Sequence, residues 1–585
     1  VYILGIVEGH NCSAALLKDG KITAVCFEER LSRLKNDFGY PRRAINYCLS
    51  HEDIAPDDID HVAMVTENVP LGQVAVKREA TFSVADHIRE QEEYWGPQLL
   101  DGQNPDYFEI FRDKLQLNEL AYDFGDLSHD RAAFADFRKI RMQTIKTHLN
   151  KTDDHLHIIN HHLAHSMYAI YTNPRCYDDM WTVLAADGYG DDCSASIGIF
   201  KDNNFHFVSK SRGSGIGRLY RYVTLVLGMR PGVDEFKVMG LAPYAKEYHW
   251  RPVYDQLAAY LKVENDVIEY TNPDKDLYFS LKERLKAYRF DGIAAGLQHF
   301  CEDISKQWVA GAIQRTGIPN ITYSGGVSMN IKINKVIAEM DQVTKLFVGP
   351  SGGDESLSLG AAYALWYKLC PDTKITPLQH TYLGPSYADA TPAITVTPGL
   401  KVTYAPTTAQ IAQLLADGRI IARLKGRMEY GARALGNRSI LARADDPDTI
   451  RKINDQIKRR DFWMPFAPVI LEECASRYLK NPKNIDASYM TIGFESTSCA
   501  QRDLKAALHP ADNTMRPQIV SRDRNPEVHE LLTIFEELTG LGGLLNTSFN
   551  LHGEPLCCTP EDGIKTFMNS TLDGLWMDDY LVQRK

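Results

Sequence analysis

Residues 161–166 read HHLAHS, placing three imidazoles inside little more than one helical turn. The flanks LHIIN and SMYAIYT are apolar and free of Pro and Gly, so the stretch reads as a helix entered from a short strand. On such a helix His161 and His165 share a face. Side chains four apart have Cβ atoms roughly 5–6 Å apart, within reach of one metal ion. The same spacing is common in plain hydrogen-bonded pairs, so the pair alone does not decide for a metal. Two acidic residues stand where a strand ends in a Gly turn: Asp187 in LAADGYG and Asp354 in SGGDESLS. Together the four make a two-His, two-Asp set suited to iron, manganese or zinc rather than magnesium or calcium. The pattern is not HExxH, so the built-in base of a zinc peptidase is missing.

A second concentration of chemistry lies near the C-terminus. GRMEYGARALGNRSILA carries Arg427, Arg433 and Arg438, INDQIKRRDFW carries Lys458 and Arg460, and TMRPQIVSR adds Arg516. Arginine offers a planar fork of donors matched to phosphate, and several converging forks hold a small dianion. Surface salt bridges are the plainer reading. The arginines, however, fall in Gly-rich turns beside strands rather than on helix faces, which favours a phosphate site. NTSFNLHGEP, residues 546–555, adds a polar turn able to bind a phosphate or a carbonyl.

These residues need elements to carry them. YILGIVEGHNCSAALLKDGKITAV reads strand, tight turn, strand, KDG hairpin, strand. Residues 182–208 repeat the pattern, with CSA and KD at matching positions, so two similar lobes are expected to begin with the same three-stranded meander. A duplicated meander with a polar first turn suggests an α/β fold of the actin-like ATPase type, two ribonuclease-H-like lobes closing on a nucleotide. Two further Gly-rich turns follow strands, ITYSGGVSMN at 321–330 and KLFVGPSGGDESLSLGAAYALW at 345–366, and their backbone N–H groups can face phosphate oxygens. Helix-rich stretches at 65–150 and 245–318 lie between. Near 370 a Pro- and Thr-rich segment without helical period marks a boundary. Beyond it, TTAQIAQLLADGRIIARLKGR reads helix, DG turn, buried strand, and opens a separate α/β domain.

The chain has 585 residues and a net charge of −11, with Lys and Arg scattered rather than gathered into a stripe. Two or three domains are the natural expectation, and nucleic acid is a poor partner for such a surface. No apolar run approaches the ~18 residues of a membrane span, and the first residues read as a strand and not a signal peptide. A cytoplasmic protein is expected. Eleven cysteines without a CxxC fit reduced thiols better than disulfides or a cysteine zinc site.

Taken together, HNCSAALLKDGKI, EERLSRLK, HHLAH, ADGYG, KVMGLAPYA, SGGVSMN, GDESLSLGAA, GRMEYGARALGNRS, PFAP, RPQ and NTSFN, in that order, resemble the O-carbamoyltransferases. That family includes the nodulation and cephalosporin carbamoyltransferases and nebramycin 5′ synthetase. The resemblance runs essentially end to end. It implies a domain over 1–372 like the universal tRNA-threonylcarbamoyl transferase, of actin-like ATPase architecture, and a YrdC-like α/β domain over 373–585. It places the metal ligands on His161, His165, Asp187 and Asp354, with iron(II) the usual metal, and ATP contacts on Lys237, Gly325, Gly326, Asn330 and Gly353. His10 and Lys35 match residues lining the transfer site, with His10 as base for the acceptor hydroxyl. Carbamoyl phosphate and adenylate contacts fall on Arg433, Arg438, Lys458, Arg460, Arg516, Asn546 and Ser548.

The implied activity is ATP-dependent transfer of the carbamoyl group of carbamoyl phosphate, by way of carbamoyl adenylate, to a hydroxyl of a small natural product. A homodimer is compatible with the resemblance. The acidic, aromatic segment 86–111, with Glu90, Glu92, Glu93, Tyr94, Trp95 and Asp106, would suit a cationic acceptor. Three departures stand out. Met464 replaces an Arg common before PFAP, leaving Arg459 or Arg460 to supply a phosphate donor. Phe236 replaces a Gly before KVMG, and GIGRLY at 215–220 stands where relatives often read SLGxFY. A tRNA-modifying transferase would share both halves but should carry a basic face, and a sugar kinase of the actin-like superfamily leaves the arginines unexplained.

Overall fold

The computed structural model describes the chain except residues 117–119, 123–132, 272–275, 388–389, 396 and 459. The protein is mixed α/β and divides into two compact units, Val1–Leu378 and Gln379–Lys585.

The N-terminal unit holds two sheets of the same plan. In the first, β1 (Tyr2–Val7), β2 (Ser13–Lys18) and β3 (Lys21–Phe27) form an antiparallel meander, and β4 (His61–Val65) and β5 (Leu156–Ile159) continue it in parallel from β1, in the order β3-β2-β1-β4-β5. In the second, β6 (Trp181–Gly190), β7 (Cys193–Lys201) and β8 (Asn204–Ser211) form the meander. A hairpin of β9 (Leu261–Glu264) and β10 (Val267–Tyr270) intervenes before β11 (Asn320–Ser324) and β12 (Lys345–Val348) add in parallel, giving β12-β11-β6-β7-β8. The echo between the chain's start and residues 182–208 is therefore a repeat of a whole sheet. The parallel strands HVAMV and KLFV read as nearly continuous apolar runs, and NITYS, though half polar, is buried from Ile321 to Ser324, because both faces of these strands are covered. The β9–β10 hairpin lies inside the stretch read as helix-rich. Its signal is the ND turn, where Asn265 takes φ +59°.

Two helices leave these sheets toward the site. Helix His161–Tyr171 starts two residues after β5, and helix Leu357–Leu369 follows β12 through a short turn, Asp354–Ser356. They cross closely because of Gly360: a Cβ there would stand 2.0 Å from the carbonyl oxygen of Ala164. The unit ends at Leu378 rather than at 372. Ile375 and Leu378 are buried, and the N–H groups of Thr376 and Leu378 donate to the carbonyls of Gly20 and Tyr171, so the segment packs with what precedes it.

The C-terminal unit is built on an eight-stranded mixed sheet. Its strands are β13 (Leu400–Tyr404), β14 (Ile421–Leu424), β15 (Arg438–Ala442), β16 (Ala467–Leu471), β19 (Gln518–Val520), β20 (Gly543–Ser548), β21 (Gly574–Met577) and β22 (Tyr580–Arg584), in the order β13-β22-β21-β14-β15-β20-β16-β19. A two-stranded ribbon, β17 (Leu479–Lys480) with β18 (Glu495–Ser496), stands apart from it. Helices Thr408–Ala416 and Pro526–Thr539 cover the sheet with Ile411, Leu415, Leu531 and Phe535. Thr407 opens the first through a capping box with Gln410. Among the described residues no helix is long and apolar enough to cross a membrane, and all eleven cysteines are free thiols.

Candidate metal centre and arginine cluster

Asn160 caps the helix that carries the histidines, its side chain accepting from the N–H of Leu163. From that start His161 and His165 point the same way, and each Nε2 meets Asp187 Oδ2, at 3.2 and 3.0 Å. Asp354 Oδ1 lies 3.7 and 3.8 Å from the same two nitrogens. One donor atom from each of the four residues falls within 4.8 Å of all the others. Two imidazole nitrogens and two carboxylates gathered this tightly at a largely buried point fit one ion of the iron, manganese or zinc class. His165 shows what the donors do to one another. Burial alone would lower its pKa, but the bonds to Asp187 and Asp354 prevail and hold it up at about 9. Asp187 is correspondingly held below the usual carboxylate range: burial pushes it up, and the two histidines outweigh that.

The outer nitrogens of the pair are also engaged. His161 Nδ1 lies 3.3 Å from Thr66 Oγ1, and His165 Nδ1 lies 3.3 Å from Ser324 Oγ. ADGYG has a double role, since a Cβ at Gly190 would stand 2.2 Å from the His161 ring. His162 faces the other way. It is fully buried between Ser196 Oγ and the carbonyl of Cys193, and burial pulls its pKa down to about 3.

Of the residues matched to ATP contacts, Gly325 and Gly326 turn against this centre, where a Cβ on Gly326 would stand 2.8 Å from Asp187 Oδ1. Gly353 precedes the turn that presents Asp354. Asn330 is committed to its own chain: it caps helix Ile331–Glu339 and donates to Gln298 Oε1 at 2.9 Å. Lys237 pairs with Asp234 at 3.4 Å. His10 bridges to Phe38, leaves Nδ1 buried without a hydrogen-bond partner, and acts electrostatically on Glu79 and Glu235. Lys35 is part-exposed, 3.6 Å from Glu29 Oε2. Of the departures from the family pattern, Phe236 is exposed, and Arg218 stacks over the Tyr189 ring.

Three of the acidic residues expected to meet a cationic acceptor have partners within the unit. Glu90 is fully buried and receives Arg78 and the Tyr107 hydroxyl. Glu92 pairs with Lys282 and Glu93 with Arg89. Their charge is thus compensated within the unit.

In the C-terminal unit, Arg433, Arg460 and Arg516 act on one another. Burial and the charge of Arg433 bring the Arg460 pKa down to about 10, and burial with the charges of Arg433 and Arg460 depresses Arg516 further. Such mutual repulsion makes the cluster a candidate anion site. The end of β20 serves as its floor. Arg460 donates to Thr547 Oγ1 at 3.2 Å, and Lys458 Nζ donates to Ser548 Oγ at 3.1 Å and to the Asn550 carbonyl at 2.9 Å. Asn546 donates to the carbonyl of Ala434, clipping down the turn that bears Arg433. Arg438, matched to substrate contacts, is held within its own unit. It is fully buried, and its guanidinium donates to the carbonyls of Lys425, Gly426, Asn437 and Pro385, holding the GRMEYG loop from inside. Arg427 likewise donates to the carbonyls of Leu383 and Gly384. Arg459 lies outside the described residues. Thr66, Ser324, Thr547 and Asn550 escaped sequence reasoning. Thr547 and Asn550 stand inside NTSFN and Ser324 opens SGGVSMN, whereas Thr66 carries no local mark.

The fold and these two clusters describe an α/β protein with a set of candidate metal donors in one unit and a cluster of buried arginines in the other. The family model for the carbamoyltransferase N-terminus matches residues 2–363 and that for the carbamoyltransferase C-terminus matches residues 412–584. The chain belongs to the carbamoyltransferase family. It is 32% identical over 482 residues to an uncharacterised protein of Methanocaldococcus jannaschii, covering 77% of each. It is 28% identical over 587 residues to the nodulation protein NolNO of Sinorhizobium fredii, covering 98% of this chain and 79% of that one. Among solved structures, the activator of 2-hydroxyisocaproyl-CoA dehydratase from Clostridium difficile with bound ADPNP matches with a TM-score of 0.32 and 14% identity, over 64% of this chain and 98% of that one.

Proposed function

We propose that the protein is an ATP-dependent O-carbamoyltransferase that takes its carbamoyl group from carbamoyl phosphate. The observation that carries this reading is the cluster of Arg433, Arg460 and Arg516, whose charges depress one another and suit a small phosphate dianion. There water opens carbamoyl phosphate to carbamate and phosphate. A carbamate oxygen then attacks the α-phosphorus of ATP, pyrophosphate leaves, and carbamoyl adenylate forms. Lys458, Thr547 and Ser548 orient the phosphates at the end of β20. In the N-terminal unit the acceptor hydroxyl gives its proton to His10 while its oxygen attacks the carbamoyl carbon, and AMP departs. When bound, an ion held by His161, His165, Asp187 and Asp354 would supply positive charge for the adenylate phosphate. The repeated five-stranded sheet supports an actin-like reading of this unit. The C-terminal unit, with its anion site, is read as YrdC-like.

Pyrophosphate release from ATP should require carbamoyl phosphate and should not need an acceptor. Release with ATP alone, or none with both substrates, would sink the reading. A sugar kinase would instead consume ATP only with its sugar and would be indifferent to carbamoyl phosphate.

A further inference from the structure

We infer that Thr66 is the residue that orients His161 and selects its tautomer, working from a strained backbone position held by Arg141 and Glu8. The inference rests on the four-donor reading of the metal centre.

Thr66 follows β4 and takes φ +67°. For a β-branched residue this left-handed region is sparsely populated, so the surroundings must impose it. They do so from several directions. The Thr66 N–H donates to the carbonyl of Ile159 at 3.0 Å. Its own carbonyl accepts from both terminal nitrogens of Arg141, at 3.3 and 3.2 Å, and the same guanidinium reaches the carbonyls of Val65 at 3.3 Å and Glu67 at 3.1 Å. Arg141 comes from helix Ala133–Leu149, is 1% exposed, and pairs with the equally buried Glu8 at 2.7 Å. The hydroxyl of Tyr122 donates to the other oxygen of Glu8 at 2.6 Å, fixing the carboxylate in turn. Three successive carbonyls, at 65, 66 and 67, thus converge on one cation, and the turn has no freedom to relax into an ordinary conformation.

What this arrangement delivers to the site is a single hydroxyl, Thr66 Oγ1, 3.3 Å from His161 Nδ1. For His161 Nε2 to offer its lone pair beside Asp187, the ring proton must reside on Nδ1, and there it needs an acceptor. Thr66 Oγ1 is that acceptor. Thr66 is therefore a positioning residue. The strain at its backbone is the consequence of aiming that oxygen across from β4 to the first turn of the histidine helix.

The test uses the full chain stripped of metal and titrated with zinc(II) against a chromophoric chelator, beside thermal unfolding of the metal-free protein. Thr66→Ser keeps the oxygen and should bind zinc within about threefold of wild type. Thr66→Val and Thr66→Gly should bind about tenfold or more weakly, the usual scale for loss of an outer partner of a ligating histidine. Thr66→Gly should nevertheless unfold, without metal, no earlier than wild type, since glycine accepts the positive φ. Affinity lost while the metal-free fold is kept is a pattern that a merely structural threonine would not produce. Zinc affinity within threefold of wild type in both Thr66→Val and Thr66→Gly would overturn the inference while leaving the metal centre standing. If wild type bound no zinc that His161→Ala abolishes, the centre itself would fall, and the role of Thr66 with it.

Discussion

Three histidines in one turn divide their labour by the direction each side chain takes. His161 and His165 face Asp187, and His162, between them, faces β7, where both its ring nitrogens are engaged and burial keeps it neutral. Substitutions should separate these roles. Purified wild type should carry one ion of the iron, manganese or zinc class per chain, and His161→Ala or Asp354→Ala should reduce that to background in elemental analysis. His162→Asn should unfold at lower temperature, by about 1–3 kcal/mol of lost buried bonding, yet retain its metal. A metal-free His162→Asn that still folds as well as wild type would reverse the assignment. The helical spacing of 161 and 165 and the placing of Asp187 and Asp354 beside Gly turns were legible in the sequence because each rests on a local pattern. Thr66 and Ser324 were not, since each reaches its histidine only through strand neighbours far away in the chain. Arg438 illustrates the converse. Its place in a Gly-rich turn suggested substrate, and only tertiary structure reveals the four carbonyls that its terminal nitrogens meet.

At the scale of elements, EERLSRLK also anchors a helix, through its first residue. Both oxygens of Glu28 accept backbone N–H groups, from Arg43 at 3.2 Å and Ala44 at 2.8 Å, at the start of helix Arg42–His51, which packs Ala44, Ile45, Cys48 and Leu49 onto the first sheet. Burial nevertheless prevails over these bonds and raises the Glu28 pKa from its ordinary 4.5 to about 7. A folded-state pKa above the unfolded one means that the folded chain holds the proton more tightly. The stability this contributes is complete below about pH 4.5 and is lost as the pH rises through about 7, on the order of 3 kcal/mol in all. Glu28→Gln cannot ionise, so the decline in urea midpoint of wild type between pH 5 and 8 should be visibly shallower in the variant; parallel declines would show that Glu28 does not titrate in this range. The repeated meander was readable because CSA and KD recur at the same spacing. The β9–β10 hairpin was masked by the long amphipathic stretches on either side, and the packing of 373–378 against Tyr171 and Gly20 depends on contacts that composition does not encode.

For the molecule as a whole, the two units carry chemistries that a single site would struggle to combine. One gathers the cationic side chains of Arg433, Arg460 and Arg516, proposed above to take a phosphate dianion. The other gathers imidazoles and carboxylates that suit a metal, with His10 on a separate turn. If carbamoyl phosphate is opened only at the arginine cluster, Arg433→Ala should lower phosphate release by two or more orders of magnitude, the scale expected when a charged partner of the developing phosphate is removed. His10→Ala should behave otherwise. Phosphate and pyrophosphate should still appear near wild-type rates, while carbamoylated product falls to background, because only the last attack needs that base. On the proposed reading both intermediates, carbamate and carbamoyl adenylate, are short-lived in water and would have to be used before they decay. A mixture of Arg433→Ala and His10→Ala proteins should therefore restore little product. Efficient rescue would mean that the adenylate survives in bulk solution and is shared between chains. Equal loss of phosphate release in the two variants would mean that opening carbamoyl phosphate needs His10 as well as Arg433, and the division of labour between the units would fall.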